Sequence, residues 1–238
     1  MQSAFRFLTL VLGFVALTTD ALARPMTLDE VPSLKAAMNC IAKNDYAGAV
    51  TLIKPIAEGG VPEAQMILGS IYQQGYGVQR DYGEAMRLYK AAAAQGNLKA
   101  RLCVGVLYLK GWGVTKDYRQ AAQWFAAAGD RDPDAQNNLG YLYIKGWGVP
   151  KNAEKAFQLF QRAANGGSAE AKEGLGEIYY TGSAKAKDFD EARKWLESAA
   201  KQNCASAQYL LGVMNVNGDG AAPDAAAARK CLFSPSRG

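Results

Sequence analysis

A glycine recurs every 35 or 36 residues from position 69 to position 212 of this 238-residue chain. Two further columns keep the same register, one three residues later and one six residues later. The three columns are Gly69, Gly105, Gly140, Gly176 and Gly212; Tyr72, Tyr108, Tyr143, Tyr179 and Asn215; and Gly75, Gly111, Gly146, Gly182 and Gly218. Independent columns that share one period predict a repeat protein, in which each unit buries its apolar face against the next.

Each unit reads as a helix, a turn and a second helix. Ala64, Leu68 and Tyr72 are four residues apart, which places them on one helical face. Gly75 suits the left-handed end of that helix. Asp81, with Glu84 three residues on, resembles a capping box that starts the second helix. We therefore expect an all-α fold, a right-handed α-α superhelix (solenoid) of about five 36-residue units plus a degenerate N-terminal unit.

The glycines inside the first helices require an explanation, because glycine in a helix costs about 1 kcal/mol relative to alanine. Their recurrence predicts that the paired helix approaches too closely for a side chain. We expect the interior to be filled by the tyrosine column and by one large residue on each second helix. Those residues are Leu88, Trp124, Leu159 and Trp195.

The N-terminus has the pattern of a secretory signal peptide. Arg6 precedes an apolar run at 7–17, and Ala21-Leu22-Ala23 offers small residues for cleavage before Arg24. The run is far shorter than the roughly 20 residues that span a membrane. A buried amphipathic helix is the alternative. We predict a periplasmic or secreted mature protein that is not inserted in the membrane.

Charge and composition exclude several functions. The net charge of +5 is spread along the chain without a basic cluster, so nucleic-acid binding is not expected. The chain has no histidine, which removes the commonest general base and metal ligand. We therefore expect no catalytic residue, cofactor or metal. The predicted partner is another protein or peptide segment, bound by a monomer.

The columns closely resemble the Sel-one-like repeat family, a relative of the tetratricopeptide repeat. Residues 64–78 carry the whole motif Ala-x-x-x-Leu-Gly-x-x-Tyr-x-x-Gly-x-Gly-Val. The fourth unit departs from it at Ser183-Ala184-Lys185, and the last unit has Asn215 in place of the tyrosine. The organisation expected is a signal peptide at 1–23, a degenerate helical pair at 24–60, four repeats at 61–204 and a degenerate capping repeat at 205–238.

The resemblance implies an adaptor that regulates or assembles the cell envelope, or contacts a host protein. The alternative is a cell-wall-related hydrolase or a β-lactam-binding enzyme, as suggested for cysteine-rich relatives.

Tetratricopeptide repeats bind partners in a concave groove lined by their first helices. By this analogy the groove residues would be Leu102, Val106, Leu109, Asn137, Tyr141, Ile144, Glu173, Glu177 and Tyr180. The middle units would expose apolar side chains, and the fourth unit would add an acidic stretch. Contiguous exposed apolar surface often marks an interaction site. The alternative is that these side chains pack on the neighbouring unit.

A second candidate surface is formed by the loops. Tyr76, Trp112 and Trp147 each lie between two loop glycines, so stacking of the units would align them along one edge. They could contact a partner or cover their own loops. Cys204 lies just before the first helix of the last unit, and Cys231 lies near the end of its second helix. Antiparallel packing would bring the two together, and a disulfide between them would suit an oxidising compartment. Two buried thiols are the alternative.

Overall fold

The computed structural model describes residues 32–129 and 132–226, which form eleven α-helices and no strand. The all-α repeat fold is confirmed. The helices are α1 Pro32–Ala42, α2 Tyr46–Glu58, α3 Pro62–Gln74, α4 Tyr82–Ala94, α5 Leu98–Lys110, α6 Tyr118–Ala128, α7 Pro133–Lys145, α8 Ala153–Asn165, α9 Ala169–Thr181, α10 Phe189–Ala200 and α11 Ala205–Asn217. The expected signal peptide and Cys231 lie outside the described residues.

The described residues form two compact units, one that ends at Asn97 and one that begins at Leu98. Helices α1 to α4 belong to the N-terminal unit and α5 to α11 to the C-terminal unit. Within each unit, consecutive helices pack against one another. Two alanine columns recur with the same period, one on the first and one on the second helices, and their described members are fully buried where the helices pack. These are Ala64, Ala85, Ala100, Ala121, Ala135, Ala156, Ala171, Ala192 and Ala207.

Recurring hydrogen bonds set the start of the second helices. The Asp81 side chain accepts from the Glu84 backbone N–H at 2.9 Å, which is half of the predicted capping box. The other half does not form, because Glu84 pairs with Arg87 at 2.6 Å. The Asp81 backbone N–H donates instead to the carbonyl of Tyr72 at 3.0 Å. This bond recurs in every later repeat and closes the loop between the paired helices.

The close approach predicted at the helical glycines is confirmed in four repeats. A Cβ atom at Gly140 would lie 2.6 Å from the ring of Phe160. The same contact pairs Gly69 with Tyr89, Gly105 with Phe125 and Gly176 with Leu196. The contacting residue is therefore one position later than the large residues predicted to fill the interior. Of the predicted residues, Leu88 and Leu159 are buried, but Trp124 and Trp195 are only half-buried. Successive residues on a helix point about 100° apart, so the next position faces the glycine instead.

Within each compact unit, a second loop glycine docks its repeat on the preceding helical pair. In the N-terminal unit, a Cβ at Gly77 would lie 2.8 Å from the backbone nitrogen of Ala47, at the start of α2. In the C-terminal unit, Gly148 meets the start of α6 in the same way. The loop aromatics reinforce this contact, because the Trp147 and Tyr118 rings stack with centroids 5.0 Å apart.

The fourth repeat lacks the second loop glycine and reaches its predecessor differently. Lys185 forms an ion pair with Glu154 at 3.0 Å and lies 4.6 Å from the centroid of the Phe157 ring. Both partners belong to α8, the second helix of the third repeat. An ion pair over an aromatic ring thus replaces the glycine and tryptophan contact.

The last repeat contains a polar substitute for the tyrosine of the motif. Asn215 is buried, and its Oδ1 accepts a hydrogen bond from Arg193 at 2.8 Å. Arg193 also donates to the carbonyl of Asp219 at 3.0 Å. One repeat earlier, the corresponding positions hold Phe157 and Tyr179, whose rings make an edge contact at 5.9 Å. A polar pair has therefore replaced an aromatic pair between the fourth and fifth repeats.

Candidate interaction surface

All nine residues of the predicted groove lie on first helices of the C-terminal unit. Leu102, Val106 and Leu109 on α5 are half-buried and pack against a core cluster from α6, α7 and α8. Tyr141 and Ile144 on α7 are also half-buried, and they pack against a cluster from α8 and α9. Each side chain is thus anchored on one side and reaches solvent on the other.

The remaining predicted groove residues are more polar and differ in burial. Asn137 and Glu173 are buried, with 9% and 8% of their surfaces exposed. Glu177 and Tyr180 are half-buried. The Tyr180 hydroxyl donates to Asp219 at 3.0 Å, which ties α9 to the last repeat.

A cavity of about 530 Å³ lies between α7, the start of α8 and α9. It brings together Tyr141, Ile144 and Glu177 of the predicted groove. Its other lining residues are Lys145, Lys151, Ala153, Phe160, Gly174, Ile178, Thr181 and Ser183. The α5 residues, Asn137, Glu173 and Tyr180 do not line it. Lys145 follows Ile144 at the end of α7, whereas Lys151 and Ser183 lie in loops whose course the repeat motif does not predict.

A hydrogen bond joins the two first helices that flank this cavity. The Tyr141 hydroxyl on α7 donates to Oε2 of Glu173 on α9. Burial raises the pKa of the Glu173 carboxyl, and Glu177 and Glu170 raise it further, while Tyr141 and Lys145 act in the opposite direction. Burial, together with the Glu173 charge, also raises the pKa of Tyr141, so its phenol remains a donor.

The acidic residues at the junction of α7 and α9, Glu173 and Glu177, have no basic partner in the part of the chain that the structure describes. Within residues 32–129 and 132–226, no lysine or arginine nitrogen lies within 4.0 Å of a carboxylate oxygen of Glu173 or Glu177. Among the residues that the structure describes, the buried Oδ1 atom of Asn137 also accepts no hydrogen bond. Of these side-chain acceptors, only the Glu173 carboxyl therefore has a paired donor in that part of the chain, the Tyr141 hydroxyl.

The loop aromatics of the second candidate surface are partly exposed. Tyr76 in the N-terminal unit exposes 47% of its surface, and its ring contacts that of Tyr46 at a tilt, with centroids 4.7 Å apart. In the C-terminal unit, Trp112 exposes 37% and Trp147 exposes 45%. Tyr76 and Trp147 thus cover the start of the preceding repeat's second helix rather than only their own loops. That the three rings share one edge stays a prediction.

The cysteines add no further site. Cys40, Cys103 and Cys204 are all half-buried. The Cys204 sulfur lies 3.2 Å from the Ser206 hydroxyl oxygen. Cys231, the other half of the expected disulfide, is outside the described residues, so that pairing stays a prediction.

The acids of this surface lie on one helix. Glu170, Glu173 and Glu177 all belong to α9, and across the groove Glu173 meets the hydroxyl of Tyr141. Within the described ranges, no group of three His, Cys, Asp or Glu could hold a metal ion. None of the helices described is both long and apolar enough to cross a membrane.

Paired helices with recurring glycine contacts define a helical-repeat protein, an α-solenoid. The chain belongs to the Sel1 repeat family, whose model matches residues 62–97, 100–132, 133–168, 169–204 and 205–233. Proteins of this family generally mediate protein–protein interaction on a scaffold that is typically non-enzymatic.

Solved structures share the fold. A Sel1 repeat protein from Oxalobacter formigenes is 29% identical over 82% of this chain and 81% of its own, with a TM-score of 0.71. A protective antigen of uropathogenic Escherichia coli strains is 32% identical over 78% of this chain, with a TM-score of 0.68, and this chain spans only 40% of its length. An immunity protein from Pseudomonas aeruginosa is 21% identical over 87% of this chain and 85% of its own, with a TM-score of 0.58, which shows the fold alone. No curated protein matches the chain.

The raised pKa of Glu173 predicts a stabilising substitution. Because burial disfavours the ionised carboxylate, the folded state gains stability from this group only while it is protonated, and loses it as the pH rises through the raised pKa. At pH 8, Glu173→Gln should increase the free energy of unfolding by about 1 kcal/mol, which corresponds to a melting temperature about 2–4 °C higher.

Thermal unfolding followed by circular dichroism at several pH values checks this expectation. The difference between Glu173→Gln and the unsubstituted protein should shrink towards about pH 4, where a free glutamate is itself largely protonated. The exposed Glu197→Gln is the control, and its effect should stay within about 0.5 kcal/mol at every pH. A variant destabilised at pH 8 would show that the Glu173 charge supports the fold.

Proposed function

We propose that the protein is a periplasmic or secreted adaptor that binds a partner protein on the first-helix surface formed by α5, α7 and α9. The observation that carries this proposal is the cavity between α7 and α9, where half-buried Tyr141 and Ile144 lie beside the acidic Glu177. An apolar centre with polar groups around it is typical of protein-binding surfaces. The α5 side chains extend the apolar character beyond the cavity.

Affinity capture tests this proposal. The mature protein, residues 24–238, is used to capture a partner from an envelope extract of the source organism, and the affinity is then measured with the purified partner. Leu109→Glu with Ile144→Glu places two charges on the surface and should weaken binding at least about tenfold, because central apolar contacts dominate interface energies.

The matched control adds the same two charges elsewhere. Gln123→Glu with Gln161→Glu lies at exposed positions of the second helices α6 and α8 and should retain the affinity. Circular dichroism must show equal helicity for both variants. If the control loses the partner while the first variant keeps it, binding lies on the second helices and the proposed surface is wrong.

The proposed compartment depends on the N-terminal segment. We expect export to remove residues 1–23, so that the mature chain begins at Arg24. Mass spectrometry of the intact protein from the periplasm or the medium measures this directly. A product that retains Met1 and stays in the cytoplasm would contradict the assignment to the envelope.

A further inference from the structure

We propose that the junction of Asn137, Tyr141, Glu173 and Glu177 binds a single arginine side chain of the partner protein. The inference rests on the proposed function and names the chemistry that the α7–α9 surface recognises. We refer to these four residues as the cation pocket.

The carboxylates of the cation pocket accept fewer hydrogen bonds than they can. A carboxylate has about four acceptor positions, and the carboxyl of Glu173 receives a hydrogen bond from the Tyr141 hydroxyl. Glu177 follows one helical turn later and adds a second carboxylate without a basic partner among the residues described. Burying a carboxylate without a counter-ion costs several kcal/mol, so a cation that enters here relieves a standing cost.

Asn137 supplies an independent observation. The residue is about nine-tenths buried, yet its Oδ1 atom has no hydrogen-bond partner within residues 32–129 and 132–226. Buried polar atoms in native proteins are rarely left unpaired, and each exception needs an explanation. An arriving donor group would satisfy this oxygen.

The fold brings these acceptors to one surface. Asn137 and Tyr141 are one turn apart on α7 and therefore share a face of that helix. Glu173 occupies on α9 the position that Asn137 occupies one repeat earlier. The hydrogen bond from Tyr141 to Glu173 shows that the two faces meet. The Tyr141 ring is fixed by an edge contact with Phe160 at 5.1 Å, so it offers a rigid aromatic wall.

Arginine suits this arrangement better than lysine or a neutral donor. Its guanidinium carries five N–H donors in a planar fork, stacks on aromatic faces and is more weakly hydrated than an ammonium. The adjoining cavity contains Ile144 and Phe160 together with Lys145 and Lys151. Those lysines disfavour a second cation, so we expect the arginine to be flanked by apolar residues of the partner.

The test uses two short peptides that differ only in charge. Acetyl-Leu-Arg-Leu-amide is titrated into the mature protein by calorimetry, beside the same peptide with citrulline, a neutral isostere of arginine. We expect the arginine peptide to bind with a Kd of about 1 mM or tighter, and the citrulline peptide at least about tenfold more weakly.

Substitutions locate the binding. Glu173→Gln with Glu177→Gln should reduce arginine-peptide binding to the level of citrulline. The matched control, Glu58→Gln with Glu197→Gln, removes two exposed acids and should leave it unchanged. Equal binding of both peptides, or no arginine binding at about 10 mM, overturns the cation pocket.

The outcome is separable from that of the proposed function. If the peptides do not discriminate while the natural partner is still lost by Leu109→Glu with Ile144→Glu, the surface stands and the arginine assignment is wrong. If arginine binds as expected but the natural partner ignores the surface variant, the pocket stands and the proposed docking surface is wrong.

Discussion

The substitution Gly148→Ala is expected to lower the free energy of unfolding of the C-terminal unit by about 3 kcal/mol or more, the range of severe single substitutions. Its Cβ atom would lie 2.3 Å from both the carbonyl carbon of Tyr118 and the backbone nitrogen of Arg119. Both atoms belong to the backbone at the start of α6, so no side-chain rotation relieves the clash. Gly148 also has a φ of +69°, which an alanine adopts only with strain. The loop of the third repeat must therefore move away from the second repeat.

The control for this prediction is Gly167→Ala. Gly167 has a φ of +97°, but a Cβ there would meet nothing within 4 Å. Its cost should therefore be limited to the backbone strain of about 1–2 kcal/mol. Urea unfolding followed by circular dichroism compares the two variants. Equal losses would show that backbone conformation alone, and not contact between repeats, requires glycine at position 148.

The substitution Asn215→Tyr is expected to destabilise the last repeat by about 2–3 kcal/mol, although the repeat motif has tyrosine at this position. It would remove the acceptor for Arg193 Nη1 at 2.8 Å and leave the guanidinium partly buried. The Nε atom of Arg193 is already without a partner among the described residues, so after the substitution only the hydrogen bond to the carbonyl of Asp219 would remain. Unfolding by urea measures the loss.

The matched rescue is the double variant Arg193→Phe with Asn215→Tyr. It recreates the aromatic contact of Phe157 and Tyr179, whose centroids are 5.9 Å apart one repeat earlier. We expect the double variant to recover most of the stability, with a coupling energy of about 2–3 kcal/mol in the double-mutant cycle. Additive losses in the two single variants would show that the positions do not act as a pair.

The sequence predicts the fold well because its signals are local or strictly periodic. Helix ends follow from residues such as Asp117 and Gly146, which satisfy the terminal backbone groups of their own helices. The glycine at position 140 also predicts the close approach of its paired helix, which Phe160 supplies. These features repeat in each unit, so every repeat supports the same interpretation.

Contacts between repeats are harder to predict from the sequence. The motif does not indicate that Trp147 stacks on Tyr118, because the two belong to different units of the repeat. The hydrogen bond from Tyr141 to Glu173 likewise depends on the distance between neighbouring first helices. In each case the distance and angle between neighbouring repeats, and not the period of the sequence, decide which side chains meet.

The burial of the groove residues differs from a simple exposed stripe for the same reason. The analogy places Glu173 on the binding face but does not indicate how deeply it is buried. That burial depends on the packing of α9 against α7 and α8. It is also what converts an ordinary acidic side chain into a candidate receptor for a cation.

Photo-crosslinking tests the adaptor assignment most directly. Benzoylphenylalanine is placed at Ile144, on the proposed surface, or at the exposed Gln161 on α8. Each variant is irradiated with the captured partner. We expect a covalent adduct from position 144 and none from position 161. An adduct from position 161 alone would place the partner on the second helices and contradict the adaptor surface.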